Sequence, residues 1–167
     1  MSGQRNRLLV TTALWIVSVC STSLGFEAGT PPASTSRVAA EVVELTNTER
    51  GSVGHTRLRA NARLMRAAQL HAEQMARAGQ QAHVLPNAAY PRTEDRLAAA
   101  GYQWQSYGEN LALGQAGPAE AVRSWMHSPV HRRNIVHPDF TELGVGYSID
   151  RAGRPYYVQV FATPSPQ

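Results

Sequence analysis

The residues best placed to do chemistry are His131, His83 and Glu109. The stretch from Ser124 to Asn134, SWMHSPVHRRN, carries the first of them. A helical pattern holding Trp125 and Met126 stops at Ser128-Pro129, and the same pair starts another. Serine suits an N-cap, and proline suits the first helical position because its missing N–H would have no partner there. His131 then falls in the first turn of a short helix, near its positive end, which disfavours the imidazolium. A neutral imidazole can accept a proton or ligate a metal. His83 stands just past the end of a long helical pattern, at the start of a loop. Glu109 lies in GENLALG, where alternation puts it on one strand face with Leu111 and Leu113. On a buried face that carboxylate must find a donor, a cation or a cavity. The alternative places it at the solvated end of the strand, beside Gly108.

Other polar residues read differently. His71 sits on an apolar helical stripe with Leu64, Ala68 and Met75. It is expected to be a core histidine hydrogen-bonded to backbone rather than a ligand. His127 and His131 have the HxxxH spacing of paired ligands, but Pro129 breaks the helix between them. His55 is a solvated loop histidine. No serine or threonine stands out as a nucleophile beside either site histidine except Ser128. Spacing alone does not bring His83, Glu109 and His131 together.

The elements that must position them run in a simple order. Val38, Val42 and Leu45 mark a first helix from about Ser36 to Arg50-Gly51. A second runs from Asn61 to Ala78, with Gly79 as its stop. A short third helix covers Arg92 to Ala100. Tyr102 to Tyr107 reads as an aromatic connector, Gly108 to Gly114 as a strand, and Pro118 starts a fourth helix. Leu143, Val145, Tyr147 and Ile149 then alternate with Gly144, Gly146, Ser148 and Asp150. That is a strand with one filled face and one nearly bare. A turn at Asp150 to Gly153 returns the chain through Tyr156, Val158 and Val160. Helices, strand, helix and hairpin predict an α+β domain in which a small, mainly antiparallel sheet is covered by helices.

Composition bounds the function. The chain has 167 residues, enough for one domain with a sizeable core. All 16 basic residues are arginine, and the formal net charge is +4. Arg5 and Arg7 lie in an N-terminal leader, and no basic stripe interleaves with aromatics, so nucleic acid is not an expected partner. Residues 1–25 read as a signal peptide. Arg5 and Arg7 form a basic region, Leu8 to Val19 is an apolar run too short to span a bilayer, and Ser23-Leu24-Gly25 offers cleavage before Phe26. Retention as an anchor and lipidation at Cys20 are the alternatives, and they are the only expected membrane contact. Cys20 is the sole cysteine, so a cleaved product has no thiolate chemistry and no disulfide. Residues 26–36 read as a Pro/Ser/Thr linker, 37–162 as the domain and 163–167 as a disordered tail.

Five segments occur in order: Asn47-Thr48-Glu49-Arg50, Ala82-His83, Tyr107-Gly108-Glu109-Asn110, Ser124 to Ile135, and Pro138 to Gly146, PDFTELGVG. Together they resemble the bacterial branch of the CAP superfamily, also called SCP-like. Its eukaryotic members are cysteine-rich secretory proteins, antigen 5 venom proteins and plant pathogenesis-related group 1 proteins. The resemblance covers roughly Val38 to Phe161. It implies a three-layer α-β-α sandwich with a cleft holding two histidines, here His83 and His131, and acids, of which the first is Glu109. Two positions depart from the pattern. Val130 replaces the usual glycine of SPGHR, and Ser128 stands where full-tetrad members carry a second acid. Two histidines, a carboxylate and water would resemble a catalytic zinc shell, with His83 and His131 as ligands of zinc or another divalent metal. The same groups would also serve as a base and its orienter.

Three functions follow as expectations. The first is a secreted binding module, extracellular or in the cell envelope, whose cleft holds a divalent metal or a small apolar or lipid ligand. The second is a metal-assisted peptidase or esterase using His83, Glu109 and His131 as catalytic groups. The third is a cell-envelope interaction protein with an inert cleft.

Overall fold

The computed structural model describes residues 33–166. The expected signal peptide and most of the expected linker lie outside them. Five helices and four strands follow in the order α1 (Ala33–Ser52), β1 (Arg59–Ala60), α2 (Ala62–Ala78), α3 (Thr93–Ala99), β2 (Trp104–Leu113), α4 (Pro118–His127), α5 (Pro129–Ile135), β3 (Glu142–Ile149) and β4 (Pro155–Pro164). The sheet order is β1-β3-β4-β2. β3 and β4 pair antiparallel, as do β4 and β2, and only the two-residue β1 runs parallel to its neighbour β3.

Period-two alternation in β4 divides the core. Tyr156, Val158, Val160 and Ala162 pack with Leu64, Ala68 and Met75 of α2 and Leu97 of α3. Tyr157 and Phe161 pack on the other side with Val42 of α1, Val122 and Trp125 of α4, and Ile135 of α5. This is the α-β-α sandwich. The bare face of β3 is filled by backbone instead of side chains. A Cβ on Gly144 would lie 2.1 Å from the Leu64 carbonyl carbon, and one on Gly146 would lie 2.2 Å from the Ala68 carbonyl oxygen. The two glycines therefore let α2 rest directly on the strand.

Local signals explain the helix ends. The Asn61 side chain accepts from the N–H groups of Arg63 and Leu64, and Gly79, at φ 65°, donates to the Met75 carbonyl. Pro129 opens α5, and the Ser128 carbonyl accepts from Arg132 N–H at 2.8 Å, but the Ser128 hydroxyl makes no capping bond. At the other end of α5, the buried Arg50 donates to the carbonyls of Ile135 (2.7 Å) and His137 (2.8 Å). A cation at a helix C-terminus meets the carbonyls that the helix leaves unpaired.

Four boundaries differ from expectation. α1 begins at Ala33, so residues 33–36 are helix rather than linker. β4 runs to Pro164, so the first residues of the expected tail belong to the sheet. Most of the aromatic connector is strand, since β2 starts at Trp104. β1 is too short to show any alternation. It is held because Glu142, buried at the start of β3, accepts from Arg59, Asn61 and Tyr102.

Candidate functional site

β2 forms one edge of the sheet, and the two residues at its middle face opposite ways. Glu109 points toward α2 and α3, where it is buried. His83, in the loop after α2, places Nδ1 at 2.8 Å from Glu109 Oε1. Arg96 of α3 donates from Nη2 to Glu109 Oε2 at 2.9 Å. The same guanidinium also reaches the backbone carbonyls of His83 (3.2 Å) and Pro91 (3.1 Å), so it fixes the loop as well as the carboxylate. Burial works against the Glu109 charge, but the His83 hydrogen bond and the neighbouring His71 and Arg96 outweigh it and hold the carboxyl below its usual range. In return, the bond to Glu109 raises the pKa of His83. The solvated-end alternative for Glu109 is thus excluded by its burial. The His83 side chain is 57% exposed, with Nδ1 held inward and Nε2 left toward solvent.

Asn110 points to the other face and fixes the second histidine. Its Nδ2 donates to the His131 carbonyl at 3.0 Å and to Gln159 Oε1 at 3.0 Å. Its Oδ1 accepts from Asn134 Nδ2 at 2.8 Å. Asn134 packs against Gly108, where a Cβ would come within 2.9 Å of its Oδ1. α5 is thereby tied to β2 along its length. Burial lowers the pKa of the half-buried His131, and the charge on His83 lowers it further.

His71 is buried as expected of a core histidine, but its hydrogen bonding is poor. Neither ring nitrogen makes a well-formed bond, the Gln74 side chain and the Ala82 backbone are its nearest partners, and Nε2 lies 3.8 Å from Glu109 Oε1. Burial pushes its pKa down to about 4, against the pull of Glu109. It is a core histidine that also stands behind Glu109. His127 is outside: it is exposed, and its Nδ1 bonds the Arg123 carbonyl of its own helix. The Ser128 hydroxyl is not engaged with either histidine among the described hydrogen bonds. Two surface hollows of about 610 and 510 Å³ border the C-terminal half of α2, and neither is lined by His83, Glu109 or His131.

The family model of the cysteine-rich secretory protein (CAP) family matches residues 43–161. The chain belongs to that family. Among curated CAP relatives it is 38% identical over 116 residues to the uncharacterized protein YkwD of Bacillus subtilis, covering 70% of this chain and 44% of that one. It is 31% identical over 121 residues to the uncharacterized membrane protein YlbC of the same organism, covering 72% and 33%. The chain therefore spans less than half the length of these relatives. A crystal structure of an extracellular SCP-domain protein from Bacillus anthracis superposes with a TM-score of 0.71 at 24% identity, over 81% of this chain and 45% of that one. An outer surface protein of Borrelia burgdorferi superposes with a TM-score of 0.67 at 17% identity, over 74% and 90%. These likenesses establish the CAP fold.

Within this CAP domain the donor set available to a metal is limited. Both carboxylate oxygens of Glu109 are taken, and among the described residues no group of three or more His, Cys, Asp or Glu side chains is placed to hold an ion. Two imidazoles remain. They do not make a closed four-ligand structural site, and any site they share would have to be an open one completed by water. Sequence reasoning misses Arg96, and it reads His71 as a core histidine without its place behind Glu109. The available signal was position: Arg96 adjoins the inward Leu97, and His71 shares the stripe of Leu64 and Met75.

Proposed function

We propose that this CAP domain is an exported binding module whose cleft holds a divalent metal, or the polar end of a small apolar or lipid ligand, on His83 and His131 without turnover. One observation carries this reading: His83 and Arg96 occupy both oxygens of Glu109. A carboxylate clamped this way, with its pKa held low, is a good orienter of His83 and a poor general base or acid. A bound metal would supply Lewis acidity at the open position, while His83 Nε2 and His131 hold it and Glu109 sets the His83 ring. The apolar part of the ligand has support beside both histidines. Val84 is 49% exposed and Val130 is 65% exposed, next in sequence to His83 and His131 respectively. Export is supported by the basic and apolar pattern of residues 1–25.

The test is a thermal melt of the purified chain with and without Zn²⁺. A ligand at a hundredfold excess over its Kd stabilises the native state by about 2.7 kcal/mol. The melting temperature of wild type should rise with Zn²⁺, and those of His83→Ala and His131→Ala should not. A wild-type melting temperature indifferent to the metal removes the metal-binding reading. A hydrolase using the same cleft would instead show turnover of peptides or esters that Glu109→Gln abolishes.

A further inference from the structure

The buried polar side chains of this domain are hydrogen-bonded with few exceptions, and the exceptions are concentrated. Among the described residues five buried side-chain atoms lack a partner: both ring nitrogens of His71, Gln74 Oε1, Arg96 Nε and Gln115 Oε1. Four of the five belong to three residues. His71 and Arg96 both lie against Glu109, and Gln74 stands beside the His71 ring. An apolar side chain at position 71 would complete the stripe of Leu64, Ala68 and Met75 and leave no orphaned nitrogen. A buried imidazole without a well-formed hydrogen bond is thus a cost to the fold, and it lies against the oxygen that orients His83. We propose that His71 is a positioning residue: its imidazole backs Glu109 Oε1, so that the carboxylate cannot turn from His83 and the His83 ring stays with Nδ1–H inward and Nε2 outward.

The charge around the ring supports this arrangement. The groups facing His71 are Glu109 from β2, Arg96 from α3, the side chain of Gln74 on its own helix and the backbone of Ala82, the last two as weak hydrogen-bond partners of poor geometry. His71 presents Nε2 to a carboxylate oxygen 3.8 Å away. That distance is too long for a hydrogen bond and short enough for a directional electrostatic contact. Arg96 pins Oε2 and His71 backs Oε1. With both in place, Glu109 has a single orientation in which to accept from His83.

The experiment reads the His83 tautomer directly, in the absence of metal or ligand, so its outcome is separate from that of the binding reading. ¹⁵N chemical shifts of the His83 ring are recorded at alkaline pH, where the histidines are neutral, for wild type, His71→Met, His71→Gln and His71→Asn. Wild type should show one tautomer, protonated on Nδ1. His71→Met should melt at or above the wild-type temperature and show a mixture of tautomers. His71→Gln, whose amide reaches the position of Nε2, should restore the single tautomer, and His71→Asn, whose amide stops short, should not. If His71→Met fails to fold, the Gln and Asn pair decides. A single Nδ1–H tautomer in His71→Met or in His71→Asn overturns the proposal, and so does a mixture in a folded His71→Gln.

Discussion

The side chain of Asn110 holds the backbone of His131, through a 3.0 Å bond from Nδ2 to the carbonyl oxygen. Its neighbour Glu109 holds the ring of His83 from the opposite face of the same strand. Adjacent residues of one edge strand thus position two histidines that come from separate layers. The Gly-Glu-Asn block is a junction: Gly108 gives room to Asn134, Glu109 serves the α2/α3 side, and Asn110 serves the α5 side.

Asn110→Ala should therefore cost more than one ordinary hydrogen bond. It leaves Gln159 Oε1 and Asn134 Nδ2 without their Asn110 partner and removes the bond to the His131 carbonyl, so that α5 keeps only the weaker bond from Asn134 to the Glu109 carbonyl. The expected loss is on the order of 3 kcal/mol, because orphaned buried groups add their desolvation cost. Urea unfolding measures it. A loss no larger than that of an exposed Asn87→Ala control would contradict the network.

Arg96 and Glu109 should be strongly coupled. Arg96→Met leaves a buried carboxylate short of its cation, and Glu109→Gln leaves a buried guanidinium short of its anion. Each should destabilise by about 3–5 kcal/mol, and the double substitution should lose clearly less than the sum. Additive losses in a denaturant double-mutant cycle would show that the pair is not a unit.

Stability should fall on mild acidification, and His71 should carry much of the fall. Its folded pKa of about 4 lies below the ordinary value of 6.5, so the unfolded chain takes up the proton first. Its contribution is complete above 6.5 and disappears as the pH drops toward about 4, amounting to something on the order of 3 kcal/mol. His131 acts in the same direction. His83 has the opposite sign: its pKa is raised, so its contribution is full below the ordinary value and fades as pH rises through the folded one. Melting temperature against pH should slope less in His71→Met than in wild type over this window. Identical slopes would assign the acid sensitivity elsewhere.

The two strand glycines give the steepest structural prediction. Gly144→Ala drives a methyl group into the backbone of α2 and should cost at least about 3 kcal/mol or prevent folding. Gly51→Ala, in α1 with open space around it, should be neutral or stabilising by up to about 1 kcal/mol. Equal melting temperatures for the two variants would mean that α2 does not seat on β3 as described.

Much of this architecture is legible in residue order. The alternation of β4 separates its two faces correctly, and Asn61 and Gly79 mark the ends of α2. Glu109 on an apolar face announces that it needs a partner. The partner is harder to see. Arg96 sits in a charged run, TEDR, where only the burial of α3 distinguishes it from its exposed neighbour Arg92. His71 is legible only in part: its apolar neighbours predict its burial, but not that the buried ring lacks a well-formed hydrogen bond and stands behind Glu109. β1 is held by the long-range contacts of Glu142, which two residues of local sequence cannot encode. The attachment of His83 and His131 to neighbouring residues of β2 depends on sheet order, and no local period reports that.

The Gly144–Gly146 pair has a consequence for how the site could change. Elsewhere in the core, side chains separate helix from sheet and can trade volume or shift rotamers. Where α2 lies on bare main chain there is no such cushion, so the helix inherits the coordinates of the strand. His71 rides on that helix. Variation on the α1 face can be absorbed locally, whereas any drift of α2 moves the back wall of the cleft as one piece with the sheet.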